Sequence, residues 1–167
     1  MRQKLSILLA ALFLAIPAGA QTVYDWSHVG STGVVGDVGP FSYTHTGPTL
    51  KFRSISTGTV VARYNITNTY GSGSSSTPPW TTLVAAFTDD SSLGSVTVKL
   101  IELDKCSNTE TTICTINSSD SASLQCETCT FSSSTFDFAN NSYYVEVTLA
   151  RTSTSANEQI HTVAVDD

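Results

Sequence analysis

Ser95-Val96-Thr97-Val98-Lys99-Leu100-Ile101-Glu102-Leu103-Asp104 decides the fold class. From Ser95 to Leu100 every second residue is apolar. That is the period of a strand with one buried face, because successive side chains leave an extended backbone on opposite sides. Val96, Val98 and Leu100 form the inward set. At Ile101 the phase reverses: Ile101 and Leu103 are apolar, while Glu102 and Asp104 hold the inward parity. Either a β-bulge near Leu100 absorbs the reversal, or the strand is covered on both faces and Glu102 lies against protein.

The same period recurs along the chain. Val60, Ala62, Tyr64 and Ile66 alternate with Arg63, Asn65 and Thr67. In residues 142–151, Tyr143, Val145, Val147 and Leu149 alternate with Tyr144, Glu146 and Thr148, which makes Val147 a core position. Residues 81–88 are apolar on both parities, as in a central strand. Further strands are expected over residues 22–29, 41–46, 49–56, 111–116 and 160–165, and Phe136 and Phe138 share one side of residues 135–139. Gly47-Pro48, Thr57-Gly58, residues 89–92 and Asn140-Asn141 supply the turns. Residues 30–40 carry glycine at every third position; only Pro40 follows a glycine, so they read as a glycine-rich loop rather than collagen. No stretch of ten or more residues past the N-terminus shows a 3.6-residue period.

About eight to ten short strands at spacings of roughly 8 to 15 residues predict an all-β, single antiparallel β-sandwich. A jelly roll is the first topology. An immunoglobulin-like sandwich is the alternative, weakened because no cysteine pair brackets a tryptophan at long separation.

Residues 1–20 read as a secretory signal peptide: Arg2 and Lys4, an apolar run over residues 5–16, then Ala18-Gly19-Ala20. The expected organisation is residues 1–20 as signal and 21–167 as one β-sandwich domain, beginning at Gln21 after cleavage and secreted to an extracellular or periplasmic space. Cleavage leaves six basic against fourteen acidic residues, a net charge of about −8. That disfavours nucleic acid or an anionic membrane as partner. No later apolar run approaches the roughly 18 residues a membrane span requires.

Four cysteines in such a chain predict disulfides. A hairpin centred near Glu110 would place Cys106 opposite Cys114, leaving Cys126 to close a small ring with Cys129; the two crossed pairings stay open. Zinc is disfavoured by the eight-residue step from Cys106 to Cys114 with no histidine near, and a redox Cys-x-x-Cys by the absence of a helix after Cys126.

No nucleophile elbow, phosphate-binding loop, metalloprotease helix or calcium-hand loop occurs. His28, His45 and His161 are scattered, and Asp89, Glu102, Asp104 and Glu146 would serve a glycosidase only if they converged in a cleft. No catalytic residue and no cofactor is assigned. Asp89-Asp90 and Asp166-Asp167 offer oxygen ligands for a structural calcium, with turn chemistry as the plainer reading. Residues 71–79 form a serine-, glycine- and proline-rich loop between Tyr70 and Trp80, two aromatics able to stack on sugars at a loop rim. Asn65, Asn117 and Asn140 each begin an Asn-x-Ser/Thr triplet. The function expected is a secreted, non-catalytic binding or adhesion module for a glycan or cell-surface protein. The alternatives are a structural component of an extracellular or cell-surface assembly, and a small secreted hydrolase.

Overall fold

The computed structural model describes residues 26–36, 42–70 and 77–167; the expected signal peptide and residues 71–76 of the serine-rich loop lie outside them. The described strands are β1 (Trp26–Val29), β2 (Val34–Val35), β3 (Tyr43–Thr46), β4 (Thr49–Phe52), β5 (Gly58–Ile66), β6 (Thr82–Asp89), β7 (Gly94–Asp104), β8 (Glu110–Asn117), β9 (Ser121–Thr130), β10 (Asn141–Arg151) and β11 (Gln159–Asp166). They form two antiparallel sheets. One runs β3-β4-β11-β6-β9, with β1 also on β11, and the other runs β2-β5-β10-β7-β8.

With β1 to β3 set aside, the orders are β4-β11-β6-β9 and β5-β10-β7-β8, and the chain crosses between sheets at every step except the β7–β8 hairpin. This is the jelly roll, two interlocked Greek keys. The inner faces follow the alternation: Val60, Ala62 and Tyr64 from β5, Val96, Val98 and Leu100 from β7, and Val145, Val147 and Leu149 from β10 meet Leu83, Ala85 and Phe87 from β6. All of these are buried.

The apolar phase reversal in β7 is not a reversal of its backbone, and the irregularity lies in the neighbouring strand. Leu100 pairs with Cys114 and Ile101 with Thr112, so the extra residue is Ile113 of β8, while β7 keeps an unbroken register with β10. The bulge expected in β7 is therefore absent: β7 does not change face, the irregularity belongs to its partner, and the other expectation holds, a strand covered on both faces with Glu102 against protein. Glu102 keeps the inward parity and accepts a 2.9 Å hydrogen bond from the Tyr143 hydroxyl; Ile101 is buried on the outer face, in register with Tyr144. A second shift, at His161, lets both Ile160 and Val163 point inward from β11.

Other expectations are corrected. Residues 121–130 form a strand that the alternation did not disclose, because this edge strand presents mostly polar residues and inserts only Gln125 and, in part, Cys129. Residues 131–140 contain no strand; they fold over one end of the sandwich and bring Phe131, Phe136 and Phe138 around Trp80 and Tyr143. The glycine-rich segment begins with a 3-10 turn, Gly30–Thr32. Gly33 lies against the Tyr64 ring, where a Cβ would sit 2.5 Å from Cζ, and the Tyr64 hydroxyl donates to Gly30 O at 2.7 Å.

The cysteine pairing is also corrected: Cys114 is bonded to Cys129, with Cα atoms 6.1 Å apart, and Cys106 and Cys126 are free and exposed. The turn of the β7–β8 hairpin falls between Leu103 and Glu110, so Cys106 lies in the turn and Cys114 four residues into β8. Cys126 and Cys129 sit three apart on an extended strand and so point to opposite faces. Cys129 pairs with inward Leu83 and Cys126 with outward Ala86. The bond staples β8 of one sheet to β9 of the other.

Candidate ligand-binding face

Strand register assembles the outer face of the five-stranded sheet. Pairing of β5, β10, β7 and β8 aligns Arg63, Glu146, Lys99 and Thr115 in one cross-strand row. The next row is Asn65, Tyr144, Ile101 and Thr112. Each is the outward residue of its strand, so alternation together with strand pairing sets basic, acidic and hydroxyl side chains side by side, about 4.8 Å apart from strand to strand.

Arg63 Nε donates to Glu146 Oε2 at 3.0 Å, and an Nη2 contact at the same distance completes the ion pair. The guanidinium lies 5.5 Å from the centre of the Tyr144 ring, whose hydroxyl donates to Glu110 Oε1 at 2.7 Å. The hydrogen bond to Glu146 raises the Arg63 pKa, and burial followed by the Glu110 carboxylate pushes Tyr144 up to about 12. Both residues therefore hold their protons across the neutral range, so the face carries fixed charges and a fixed donor. The Arg63 side chain is 55% exposed, so the ion pair orients it more than it stabilises the fold. Its Nε and Nη2 are the atoms that meet Glu146. A trough of about 450 Å³ runs beside it, lined by Val34, Gly36, Val61, Arg63 and Glu146.

The residues singled out from sequence are dispersed. Trp80 is not at a loop rim: it is fully buried, edge-on to Phe136 at 5.1 Å. Its apparent exposure followed from the prolines before it, whereas its ring plugs the end of the sandwich. Tyr70 is 45% exposed at the border of the described residues and does not meet Trp80 in a shared site. Asp89 is buried facing inward, Glu102 is half-buried at the inward parity of β7, Asp104 accepts from the amides of Cys106 and Ser107 in the hairpin turn, and Glu146 belongs to the outer face. These carboxylates do not share a cleft. His28 contacts the Thr32 hydroxyl at 3.0 Å, His161 contacts the Thr88 hydroxyl at 3.2 Å, and the His45 ring packs on Tyr43. Arg63, Lys99, Tyr144 and Glu110 were missed as a group. Their common parity was visible, but the strand order that makes them neighbours was not.

No protein-family model matches the chain, and no curated protein matches it. Among solved structures the chain is similar to a carbohydrate-binding module of the β-sandwich superfamily, described for its promiscuous specificity. The identity is 13% and the TM-score 0.46, over 80% of this chain and 52% of that one; the chain thus spans about half of that protein's length. It is also similar to a β-1,3-glucan-binding CBM6 from Bacillus halodurans, at 10% identity and a TM-score of 0.42, over 86% of this chain and 90% of that one.

Proposed function

We propose that the protein is a secreted, non-catalytic binding module that holds a glycan against the outer face of its five-stranded sheet. The observation that carries this reading is the ordered row Arg63, Glu146, Lys99, in which donor, acceptor and donor alternate on three adjacent strands beside an open trough. A hydroxyl both donates and accepts, so neighbouring hydroxyls of a sugar match such an alternation where a purely anionic or purely apolar ligand does not. A rigid sheet also presents these groups with little ordering left to do on binding. The inter-sheet disulfide fits an oxidising, extracytoplasmic compartment, and the dispersion of the carboxylates and histidines supports binding without turnover.

Affinity electrophoresis and calorimetry against a panel of neutral and acidic polysaccharides test the reading. Arg63→Ala and Glu146→Gln should each weaken binding about tenfold or more, equivalent to about 1.4 kcal/mol, with little change in melting temperature. No retention by any polysaccharide, or retention unchanged in a variant lacking Arg63, Glu146 and Lys99 together, would defeat it. Turnover of a bound glycan would move the protein to the enzymes.

A further inference from the structure

The end of the sandwich opposite the aromatic cluster is charged. In β6 and β11, Phe87 pairs with Ile160 and Thr88 with Gln159. Continuing this register by one residue sets Asp89 across from Glu158. Both share the inward parity of Phe87 and Ile160, and both are buried, at 1% and 0% exposure. Like charges directly opposite on adjacent strands repel, and burial removes the water that would screen them.

Their oxygens are unusually short of donors. The Ser118 hydroxyl donates to Asp89 Oδ2 at 2.5 Å, but Asp89 Oδ1 and both oxygens of Glu158 have no hydrogen-bond partner, apart from a weak contact between Glu158 and its own main-chain N–H. The charged groups around Glu158 are Asp89, Asp90 and Arg151. Asp90 accepts from the Asn157 amide at 2.8 Å and ties down the segment that carries Glu158. Arg151 directs its N–H groups to the carbonyls of Ser56, Ala156 and Arg53 and stacks 4.6 Å over Phe52, so its hydrogen bonds are spent on main chain rather than on the carboxylates. Three carboxylates face one guanidinium, an excess of two negative charges when all are ionised, and burial followed by the Asp89 charge raises the Glu158 pKa. Gly94 of β7 completes the enclosure, because a Cβ there would fall 1.6 Å from Glu158 Oε1.

We propose that Asp89 and Glu158 bind a calcium ion that closes this end of the sandwich, with Asp89 Oδ1, Glu158 Oε1 and Glu158 Oε2 as its protein carboxylate ligands. A proton shared by the pair would remove one charge but leave the remaining lone pairs dry, whereas a divalent cation satisfies all three oxygens and cancels the excess charge. An all-oxygen donor set selects a hard cation over zinc or copper. Among the described residues no histidine or cysteine joins the pair and the third carboxylate nearby, Asp90, is taken up by the Asn157 amide, so carbonyls and water would fill the remaining positions, as calcium's flexible coordination allows. This site is separate from the glycan-binding face, and neither proposal depends on the other.

The test uses the full chain, stripped with chelator and held near pH 7.5. Calorimetric titration with calcium chloride should show one ion per chain. Thermal unfolding in calcium chloride at about 100 times the measured Kd should lie about 5–10 °C above unfolding in EDTA. Glu158→Gln and Asp89→Asn remove the charge at nearly constant shape; each should be at least as stable as the parent in EDTA and should lose the calcium response. An unchanged melting temperature and no calorimetric binding in the parent would overturn the proposal and leave the pair to a proton. So would a calcium response that persists in both variants, which would place the ion elsewhere.

Discussion

Removing the Cys114–Cys129 bond tests both the fold and the corrected pairing, and its size follows from the structure. The bond closes a sequence separation of 15 and joins the two sheets. In the chain-entropy account, a loop of that length removes about 3 kcal/mol of freedom from the unfolded chain. For a domain of this size each kcal/mol is worth about 2–4 °C, so Cys114→Ala with Cys129→Ala should melt about 6–12 °C below the parent. Alanine is the right replacement because Cys114 is only 5% exposed, and serine would add a buried hydroxyl. The control is Cys106→Ala with Cys126→Ala. Both of those thiols are exposed and unbonded, and the change should stay within about 0.5 kcal/mol. Scanning fluorimetry with and without reductant reads both variants: reductant should lower the parent to the level of the first variant and leave that variant unmoved. The reasoning fails if the exposed pair proves the costlier to remove, or if non-reducing peptide mapping links Cys106 to Cys114.

Val147→Asp would bury an unpaired charge on the inner face of β10 and should cost about 4 kcal/mol or more in chemical unfolding, whereas Thr148→Asp on the outer face should be mild; equal losses would show that the facing is wrong. Trp80→Ala should cost about 3–5 kcal/mol by emptying the aromatic end, without selectively weakening glycan binding, and a stable variant with lost binding would return Trp80 to the ligand site.

What the sequence determined by itself is whatever depends on neighbours along the chain. Alternation at residues 60–66, 96–100 and 143–149 named the strands and their inward faces, because the two-residue period is local backbone geometry. Strand count and turn chemistry were enough to name a sandwich and to rank the jelly roll first. Tertiary structure decided what depends on which strands are neighbours. It moved the bulge from β7 to Ile113, since a pairing register belongs to two strands at once. It paired Cys114 with Cys129 because the two meet across the sheets, and spacing along one strand carries no information about the other sheet. It drew Trp80 into the core, where Phe136 and Phe138 arrive from more than fifty residues away. It also gathered Arg63, Glu146 and Lys99 on one face, and set Asp89 against Glu158 at one end. In sequence these residues are separated carboxylates and cations, and only the crossing of the chain between two sheets makes them neighbours.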